Sequence, residues 1–377
     1  MDRSVTFIRR LATAFLCLIL VFPLCFAEEA ADESGLEVHF LRVQRNDAIL
    51  LVCGGEAAFI DGGAYGYGET CVEYLKNAGI DHLKYYIGTH AHVDHIGMAG
   101  PLMLAIPTDE ILTNYDLALT CMLDRAKTAE EKEVIRSTPI RYLQMGQSVM
   151  LGSAVIECVG PDDETFIPQR KYTNGAENHN SLLLRVSYGD TSFILLGDMT
   201  TDGLEHMVRV YPDLLTASVI KSPHHDVGIP EDLMPYLKCE YFVFSTSREA
   251  PPKSGTIGRV RRAGGRVFIT NYNNAGRLIF RSDGETVTVE TEYKLDEKWK
   301  LSKTEVTLKQ GGSVRITPDF KHGNIIDTLC YTSSDPAVAV VDPVSGRITA
   351  VAPGVCVVRA LAFDNTCREV TVTVKSK

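Results

Sequence analysis

The hydrophobic and polar positions of the chain repeat with two different periods, which predicts a protein of mixed strands and helices. Three segments near the start have the pattern of half-buried strands: residues 36–43, 48–53 and 57–61. Residues 70–77 instead have the apolar spacing of a helix, and Gly79 is placed to end it. Residues 83–89 form the next apolar run and predict a buried strand. This part of the chain is therefore expected to form strands, a helix and a further strand.

The middle of the chain predicts a hairpin, another strand and a helical insertion. Residues 181–187 and 191–196 are apolar strands on either side of the turn sequence Tyr188-Gly189-Asp190, as in a hairpin. Residues 217–221 predict one more apolar strand. Residues 109–141 read as helical. We expect this insertion to overhang a functional site and influence substrate choice, with a surface helical pair of no special role as the alternative.

The pattern changes after residue 294, where short strands follow one another between turn residues. The predicted strands are residues 306–308, 314–317, 329–336, 338–342, 346–354 and 370–374. Short strands at such intervals are typical of a small β-sandwich.

The N-terminus has the pattern of a targeting segment. Three arginines precede the apolar run of residues 11–22, and the small Ala27 stands directly before two glutamates. This order predicts a secretory signal peptide over residues 1–27, cleaved after Ala27, and an exported or cell-surface protein. An uncleaved membrane anchor is the alternative, and it is disfavoured because the apolar run falls short of the roughly 20 residues that span a bilayer.

Length, charge and cysteine content narrow the possibilities further. The chain has 377 residues, of which 45% are hydrophobic, and this length predicts two or three domains of about 150 residues. The formal net charge is −10, so no specific nucleic-acid partner is predicted, because such binding relies on clustered basic residues. Cys17 and Cys25 lie in the signal segment. The remaining even number of cysteines permits disulfides, but the lack of dense spacing favours buried free thiols.

The richest chemistry lies directly after the predicted strand 83–89, where three histidines and an aspartate fall within six residues. In an extended or looped backbone, His90 and His92 project to the same side and can bind one metal ion. Asp94 and His95 are then directed towards a second ion. The motif predicts a metal site of two ions.

At these residues the chain resembles the metallo-β-lactamase superfamily, whose signature is His-x-His-x-Asp-His. The resemblance implies an α/β (α+β) fold, the αββα sandwich, over residues 35–293. It also implies two Zn²⁺ ions and a metal-bridging hydroxide as the nucleophile. His90 and His92 are expected to hold the first zinc.

The resemblance implies roles for residues in the second half of this domain. Asp198 follows Gly197 at the end of a predicted strand and is expected to bridge both ions. Asp94, His95 and His225 are expected to complete the second zinc, with His224 contacting substrate or transition state; the reverse order of the two neighbouring histidines is the alternative.

Two further residues each have two alternative roles. His179 is placed to be the third ligand of the first zinc, but the branch described next does not require a histidine there. Asp61, in the turn Asp61-Gly62-Gly63, is expected to support a ligand histidine, or to be an ordinary turn residue.

The strings Asn180-Ser181 and His224-His225 are similar to one branch of the superfamily, which contains the hydrolase domain of bacterial DNA-uptake channels and surface phosphorylcholine esterases. This similarity implies hydrolysis of a small-molecule or cell-wall-associated phosphodiester or phosphocholine-type ester, with Asp94 and His224 as catalytic residues. Hydrolysis of β-lactams or lactones is one alternative, and an inactive surface-binding protein is another. Asp226 and residues 247–252 depart from the branch on the substrate side.

Residues 300–375 resemble the group 2 bacterial immunoglobulin-like domain. The resemblance is carried by Ser333-Ser334-Asp335-Pro336 with the following Val338-Ala339, and by Gly346-x-Ile348-Thr349-Ala350. It implies a second, all-β domain that contacts a cell surface or carbohydrate, or that acts only as a spacer.

Overall fold

The computed structural model describes residues 35–167, 176–225, 227–247, 250–270, 275–295, 298–319 and 329–377. The predicted signal peptide, Asp226 and residues 248–249 lie outside this part of the chain. Within it, no helix combines the length and the hydropathy that crossing a bilayer requires.

The first domain is built on strands that form two sheets. In chain order they are β1 Leu36–Phe40, β2 Ala48–Cys53, β3 Glu56–Asp61, β4 Leu83–Ile87, β5 Thr108–Thr113, β6 Ile140–Tyr142, β7 Ser148–Leu151, β8 Ala154–Gly160, β9 Leu183–Tyr188, β10 Thr191–Leu195, β11 Val219–Lys221, β12 Tyr241–Phe244, β13 Arg266–Ile269, β14 Leu278–Ser282 and β15 Val287–Thr291. One sheet has the order β15-β14-β1-β2-β3-β4-β5-β6, and the other has the order β13-β12-β11-β10-β9-β8-β7.

Parallel pairing at the centre of each sheet determines where the loops meet. Strands β3 to β6 run parallel in the first sheet, and β10 to β13 run parallel in the second. The carboxyl ends of parallel strands share one edge, and the loops that follow them converge there. The predicted hairpin forms as β9 and β10, which pair antiparallel.

Helices cover the outer faces of the two sheets. They are α1 Gly68–Asn77, α2 Val93–Ile96, α3 Ala99–Ala105, α4 Asp116–Arg125, α5 Ala129–Ser137, α6 Ala176–His179, α7 Thr201–Val210 and α8 Ser254–Arg262, with 3₁₀ turns at Tyr65–Tyr67 and Glu231–Tyr236. Strand residues alternate between layers: Leu51 packs between the sheets, whereas Leu50 packs under α1 and α3 to α5. The outer face of the second sheet packs against α7 and α8. These layers confirm the predicted αββα sandwich.

The segment predicted as a helical insertion is partly a strand. Residues 109–113 belong to β5, because Ile111 and Leu112 are buried on opposite faces of the first sheet. The helices that follow, α4 and α5, contribute Met122 and Ile135 to the core under that sheet. Much of the segment is therefore part of the helical layer of the sandwich.

The second domain is the predicted small β-sandwich. Its strands are β16 Glu305–Lys309, β17 Ser313–Arg315, β18 Cys330–Ser333, β19 Ala339–Val341, β20 Arg347–Ala350, β21 Gly354–Leu361 and β22 Cys367–Lys375. They form one sheet of order β16-β22-β21-β18 and another of order β17-β20-β19. Strand β21 was not predicted, although it lies inside the first of these sheets.

Side chains of α8 and β13 form hydrogen bonds and an ion pair with the second domain. The Arg261 guanidinium, 2% exposed, donates to the carbonyl oxygen of Pro343. Arg262 lies 3.5 Å from the Asp342 carboxylate, and Arg266 donates to Asn365 Oδ1 at 2.8 Å. The exact domain bounds, 35–293 and 300–375, stay predictions.

The cysteines of the described chain are free thiols, and six of the eight are buried. Burial raises the pKa of the Cys71 thiol to about 12, so this group stays protonated at neutral pH.

Candidate metal centre

The predicted ligands converge where loops leave the carboxyl ends of the central strands. His90, His92 and His95 follow β4, whereas Asp198 follows β10 and His225 follows β11. The two sheets meet here, since the Leu182 amide donates to the Thr89 carbonyl oxygen at 2.9 Å.

Two groups of potential ligand atoms lie side by side and share Asp198. The first group contains His90, His92 and Asp198, with one ligand atom from each lying within 4.8 Å of the others. In it, His90 Nε2 and His92 Nδ1 are 3.0 Å apart. These three side chains match the set expected for the first metal without His179.

The second group contains His95, His225 and Asp198, together with Asp47. His95 Nε2 is 3.2 Å from Asp198 Oδ1, and His225 Nε2 is 3.4 Å from Asp198 Oδ2. Asp94 lies at the edge of this group, with Oδ2 3.5 Å from His225 Nε2. The arrangement brings together the residues expected for the second metal and adds Asp47.

The Asp61 carboxylate determines which ring nitrogen of two histidines is available. It accepts from His95 Nδ1 at 2.7 Å and from the Thr89 hydroxyl at 2.8 Å. Because that hydroxyl hydrogen is used, Thr89 Oγ1 accepts from His90 Nδ1 at 3.0 Å. Both histidines therefore direct Nε2 into the centre as a lone-pair donor.

His225 is oriented in the same manner. Its Nδ1 donates to the Ser245 carbonyl oxygen, 3.1 Å away, which leaves Nε2 as the donor atom facing Asp94 and Asp198. Ser245 directly follows β12, so the carboxyl end of a third parallel strand fixes this ring.

The chemistry of the donor set fits divalent metal ions. Four buried atoms of the second group have no hydrogen-bond partner among the described residues: Asp47 Oδ1, His95 Nε2, Asp198 Oδ1 and His225 Nε2. Buried polar atoms without partners are costly, and imidazole nitrogens with carboxylate oxygens are ordinary ligands of Zn²⁺. A cation among these atoms would satisfy all four.

Negative charge dominates the second group. Burial alone lowers the pKa of His225, but the carboxylates of Asp198, Asp47 and Asp94 outweigh it and raise the pKa to about 9. Burial likewise opposes the charged form of His95, whereas Asp198 and Asp61 raise its pKa well above the ordinary value. This field favours positive charge at the position between the rings.

The first group is closer to neutral. Burial is the largest influence on both His90 and His92 and lowers the pKa of each. Neutral imidazoles are the form that binds metal ions, so these two side chains are already in the ligating state near pH 7.

Sequence reasoning missed a buried ion pair at the base of the centre. Lys221 Nζ bonds Asp47 Oδ2, donates to the Gly197 carbonyl oxygen at 3.0 Å and lies 4.0 Å from Asp198 Oδ1. Lys221 and Asp47 are 0% and 2% exposed. The available signal was a charged residue ending the apolar run 217–221 and another directly before the strand 48–53.

The backbone is locally strained at the centre. Asp61, His224 and His225 have φ angles of 60°, 47° and 55°, in the left-handed region that non-glycine residues seldom adopt. Such strain is typical of functional sites whose surroundings hold the backbone in place.

Glycine is required before Asp198. Gly197 has a φ of 48°, and a Cβ atom there would lie 2.9 Å from the Ser181 Cβ. Ser181 Oγ in turn accepts from the Asp198 amide at 3.0 Å. The expected close approach of backbone at this glycine is therefore present.

One side of the centre faces solvent. The side chains of Asp94 and His224 are 32% and 34% exposed, whereas those of His90, His95 and His225 are buried. Burial is the main cause of a lowered pKa at His224, whose Nε2 lies 3.8 Å from Asp198 Oδ2. The two residues predicted to be catalytic thus border the opening.

His179 lies outside both groups of potential ligands. Its ring nitrogens are each 3.2 Å from Thr200 Oγ1, and Nε2 is 3.3 Å from Asp202 Oδ2. This contact with the start of α7 does not support the prediction that His179 is a ligand of the first metal.

Comparisons with known families agree with the two-domain prediction. The sequence model of the metallo-β-lactamase superfamily matches residues 41–243, more than half of the chain. The model of the bacterial Ig-like domain, group 2, matches residues 297–374.

Individual relatives are distant. ComE operon protein 3 of Bacillus subtilis (strain 168) is 24% identical over 237 residues, which cover 60% of this chain and 28% of that protein. The chain therefore spans less than a third of this relative's length.

Two solved structures are similar to parts of the chain. CmlA, a diiron β-hydroxylase from Streptomyces venezuelae, has a TM-score of 0.38 and 12% identity over 56% of this chain and 45% of its own. A putative metal-dependent hydrolase from Parabacteroides distasonis has a TM-score of 0.39 and 11% identity over 63% and 94%.

Proposed function

Because the chain belongs to the metallo-β-lactamase superfamily, we propose that it is an exported dinuclear zinc hydrolase that cleaves phosphodiester or phosphocholine-type esters. The observation that carries this proposal is the sharing of Asp198 between two adjacent groups of ligand atoms. A carboxylate can give one oxygen to each of two cations, so a pair of sites is the natural use of this arrangement.

In this proposal His90 and His92 hold the first ion, His95, His225 and Asp94 hold the second, and Asp198 holds both. Two divalent cations bound there supply Lewis acidity and lower the pKa of water. The protein itself orients the rings of His95 and His225, since Asp61 and the Ser245 carbonyl accept from their Nδ1 atoms.

The residues at the opening would meet the substrate. A lowered pKa leaves the His224 imidazole neutral near pH 7, so one ring nitrogen can donate to a phosphoryl oxygen. Asp94 also lies at the opening. Burial favours its neutral form, but His225 and His95 outweigh this effect and lower its pKa, so the carboxylate stays ionised and would accept a hydrogen bond from water or substrate.

Phosphoesters are favoured over β-lactams by the Asn180-Ser181 and His224-His225 strings. A net charge of −10 favours a small ester over a long polyanion. The bacterial Ig-like domain and the ComE relative are compatible with a location outside the cell. A cell-wall decoration is therefore a suitable substrate class, and the Ig-like domain would contact the surface that carries it.

The proposal is tested by assaying the mature protein with four chromogenic substrates: a phosphodiester, a phosphorylcholine ester, a β-lactam and a lactone. We expect hydrolysis of the first two, abolished by a chelator and by His92→Ala. In His224→Ala turnover should fall at least tenfold while metal content stays unchanged, because this side chain meets substrate rather than metal.

The matched control is His206→Ala, which removes a half-buried ring that bonds Asp162 at 3.2 Å and should leave turnover unchanged. A protein that ignored both phosphoesters and opened the β-lactam or lactone ring would overturn the substrate assignment.

A further inference from the structure

The turn between the first two histidines is held by a buried side-chain relay. The Ala91 amide, between His90 and His92, donates to Tyr115 Oη at 3.0 Å. The Tyr115 hydroxyl donates to Glu177 Oε2 at 2.6 Å. An amide can only donate and a phenol has a single hydrogen, so the direction of both bonds is fixed.

Both side chains of this relay are held in place. Glu177 is 0% exposed and Tyr115 is 7% exposed. The Tyr115 ring packs edge-on against Phe166, with 5.8 Å between centroids. A hydrogen bond to a buried carboxylate is stronger than one to a neutral group, so the phenol oxygen is fixed relative to Ala91.

The relay joins the loops of the two sheets. Tyr115 lies just beyond β5 of the first sheet, and Glu177 belongs to α6, which leads into β9 of the second. The same segment carries Ser181, which accepts from the Asp198 amide. The segment from Glu177 to Ser181 therefore reaches the Ala91 amide through Tyr115 and contacts the Asp198 amide directly.

The first ligand group is the one sensitive to this backbone. It has three donors, His90, His92 and Asp198, and two of them flank Ala91. A shift of the Ala91 amide would change the 3.0 Å separation between His90 Nε2 and His92 Nδ1. His95 and His225 of the second group are held through Asp61 and the Ser245 carbonyl instead.

We propose that Tyr115 and Glu177 are positioning residues that hold the His90-Ala91-His92 turn in the geometry that binds the first metal ion. The inference rests on the proposed dinuclear centre. It assigns a function to the segment before β9 other than supplying His179 as a ligand.

The test measures the two Zn²⁺ dissociation constants of the full chain, stripped of metal and titrated against a chromophoric chelator. His92→Ala identifies which constant belongs to the first ion. We expect Tyr115→Phe to raise the dissociation constant of the first ion about tenfold or more and to leave that of the second ion within twofold of its wild-type value. Glu177→Gln keeps an acceptor oxygen and should cause a smaller loss.

Tyr65→Phe is the matched control, because the Tyr65 hydroxyl also donates to a glutamate, Glu131 Oε1, at 3.0 Å in the same domain. It should change neither constant. The relay would be overturned if Tyr115→Phe had the same dissociation constants as the wild type. It would also be overturned if Tyr115→Phe and Glu177→Gln each raised the dissociation constants of the two ions by the same factor. Binding of fewer than two ions by the wild type would instead overturn the dinuclear proposal itself.

Discussion

Asp198 connects the two groups of candidate ligands, and its replacement should therefore affect both ions. In Asp198→Ala we expect the metal content after dialysis to fall well below two ions per chain, because each group loses one of its few donors. Elemental analysis of the purified protein measures this. Asp190→Ala, in the exposed turn between β9 and β10, is the control, and two tightly held ions in Asp198→Ala would show that this residue is no bridge.

Lys221 compensates charge beneath the centre rather than binding metal. Lys221→Met keeps the length of the side chain but leaves the Asp47 carboxylate buried without its cation. Removing one partner of a buried ion pair costs about 3–5 kcal/mol, so the free energy of unfolding should fall by that amount. Urea denaturation of the metal-stripped protein measures it.

The double variant Asp47→Asn with Lys221→Met separates this explanation from simple loss of packing. It removes the unpaired charge, so much of the stability should return. If the double variant lost as much free energy of unfolding as Asp47→Asn and Lys221→Met lose in sum, charge compensation would be the wrong explanation.

The histidine cluster was predictable because its members are neighbours in sequence. Asp198 and His225 were also predicted, since each follows an apolar strand in the order that the resembling fold requires. Asp47 and Lys221 were not predicted as a pair, because they are 174 positions apart and a charge beside an apolar run does not identify its partner. Only the pairing of the two sheets brings them together.

At the scale of elements, strands were predicted where the apolar period was clear. Strand β4 follows the predicted run almost residue for residue. Strand β5 was misread as helix because Thr108–Thr113 mixes polar and apolar residues, and its burial depends on the neighbouring parallel strands. Strand β21 was not predicted, although its buried and more exposed positions alternate as in a half-buried strand.

Strand β1 contains a histidine whose titration affects stability away from the metal centre. His39 Nδ1 lies 2.7 Å from the Tyr74 hydroxyl and Nε2 lies 2.8 Å from Glu37. Burial lowers the pKa of His39, an effect that the Glu37 carboxylate only partly opposes. The unfolded chain therefore binds this proton more readily than the folded protein does.

Linkage gives the sign of the pH dependence. Stability from His39 is fully present above an unfolded pKa of about 6.5 and is lost as pH falls towards the lowered folded value. The drop in melting temperature between pH 7.5 and pH 5.5 should thus be smaller in His39→Gln than in wild type. His82→Gln, an exposed residue bonded to Asp109, controls for the substitution, and an equal drop in all three proteins would contradict the expectation.

At the scale of the whole molecule, α8 links the metal centre to the Ig-like domain. The loop before α8 begins at Ser245, which binds His225, and α8 ends near Arg261, which binds Pro343. Arg261→Ala removes the hydrogen bond from a buried guanidinium to the half-buried Pro343 carbonyl oxygen, so the free energy of unfolding should fall by about 1–3 kcal/mol. Differential scanning calorimetry measures this change.

Arg359→Ala is the control for this prediction, because the Arg359–Glu369 pair is exposed on the Ig-like domain and exposed pairs contribute little. If Arg359→Ala lowered the free energy of unfolding as much as Arg261→Ala, the contact between the domains would contribute no more than an exposed ion pair. The two-domain order itself was predictable, because each domain carries its own sequence strings. The contact was not, since single arginines on α8 carry no pattern.

The contacts that α8 and β13 make with the Ig-like domain also affect how the molecule moves when it is tethered. With Arg261, Arg262 and Arg266 all contacting the Ig-like domain, the two domains should tumble as one body in solution. An Ig-like domain held on a wall would then present the opening at Asp94 and His224 at a fixed height and angle. Such an enzyme would reach only esters within a narrow shell around its attachment point, and lengthening the link after Thr291 would widen that shell.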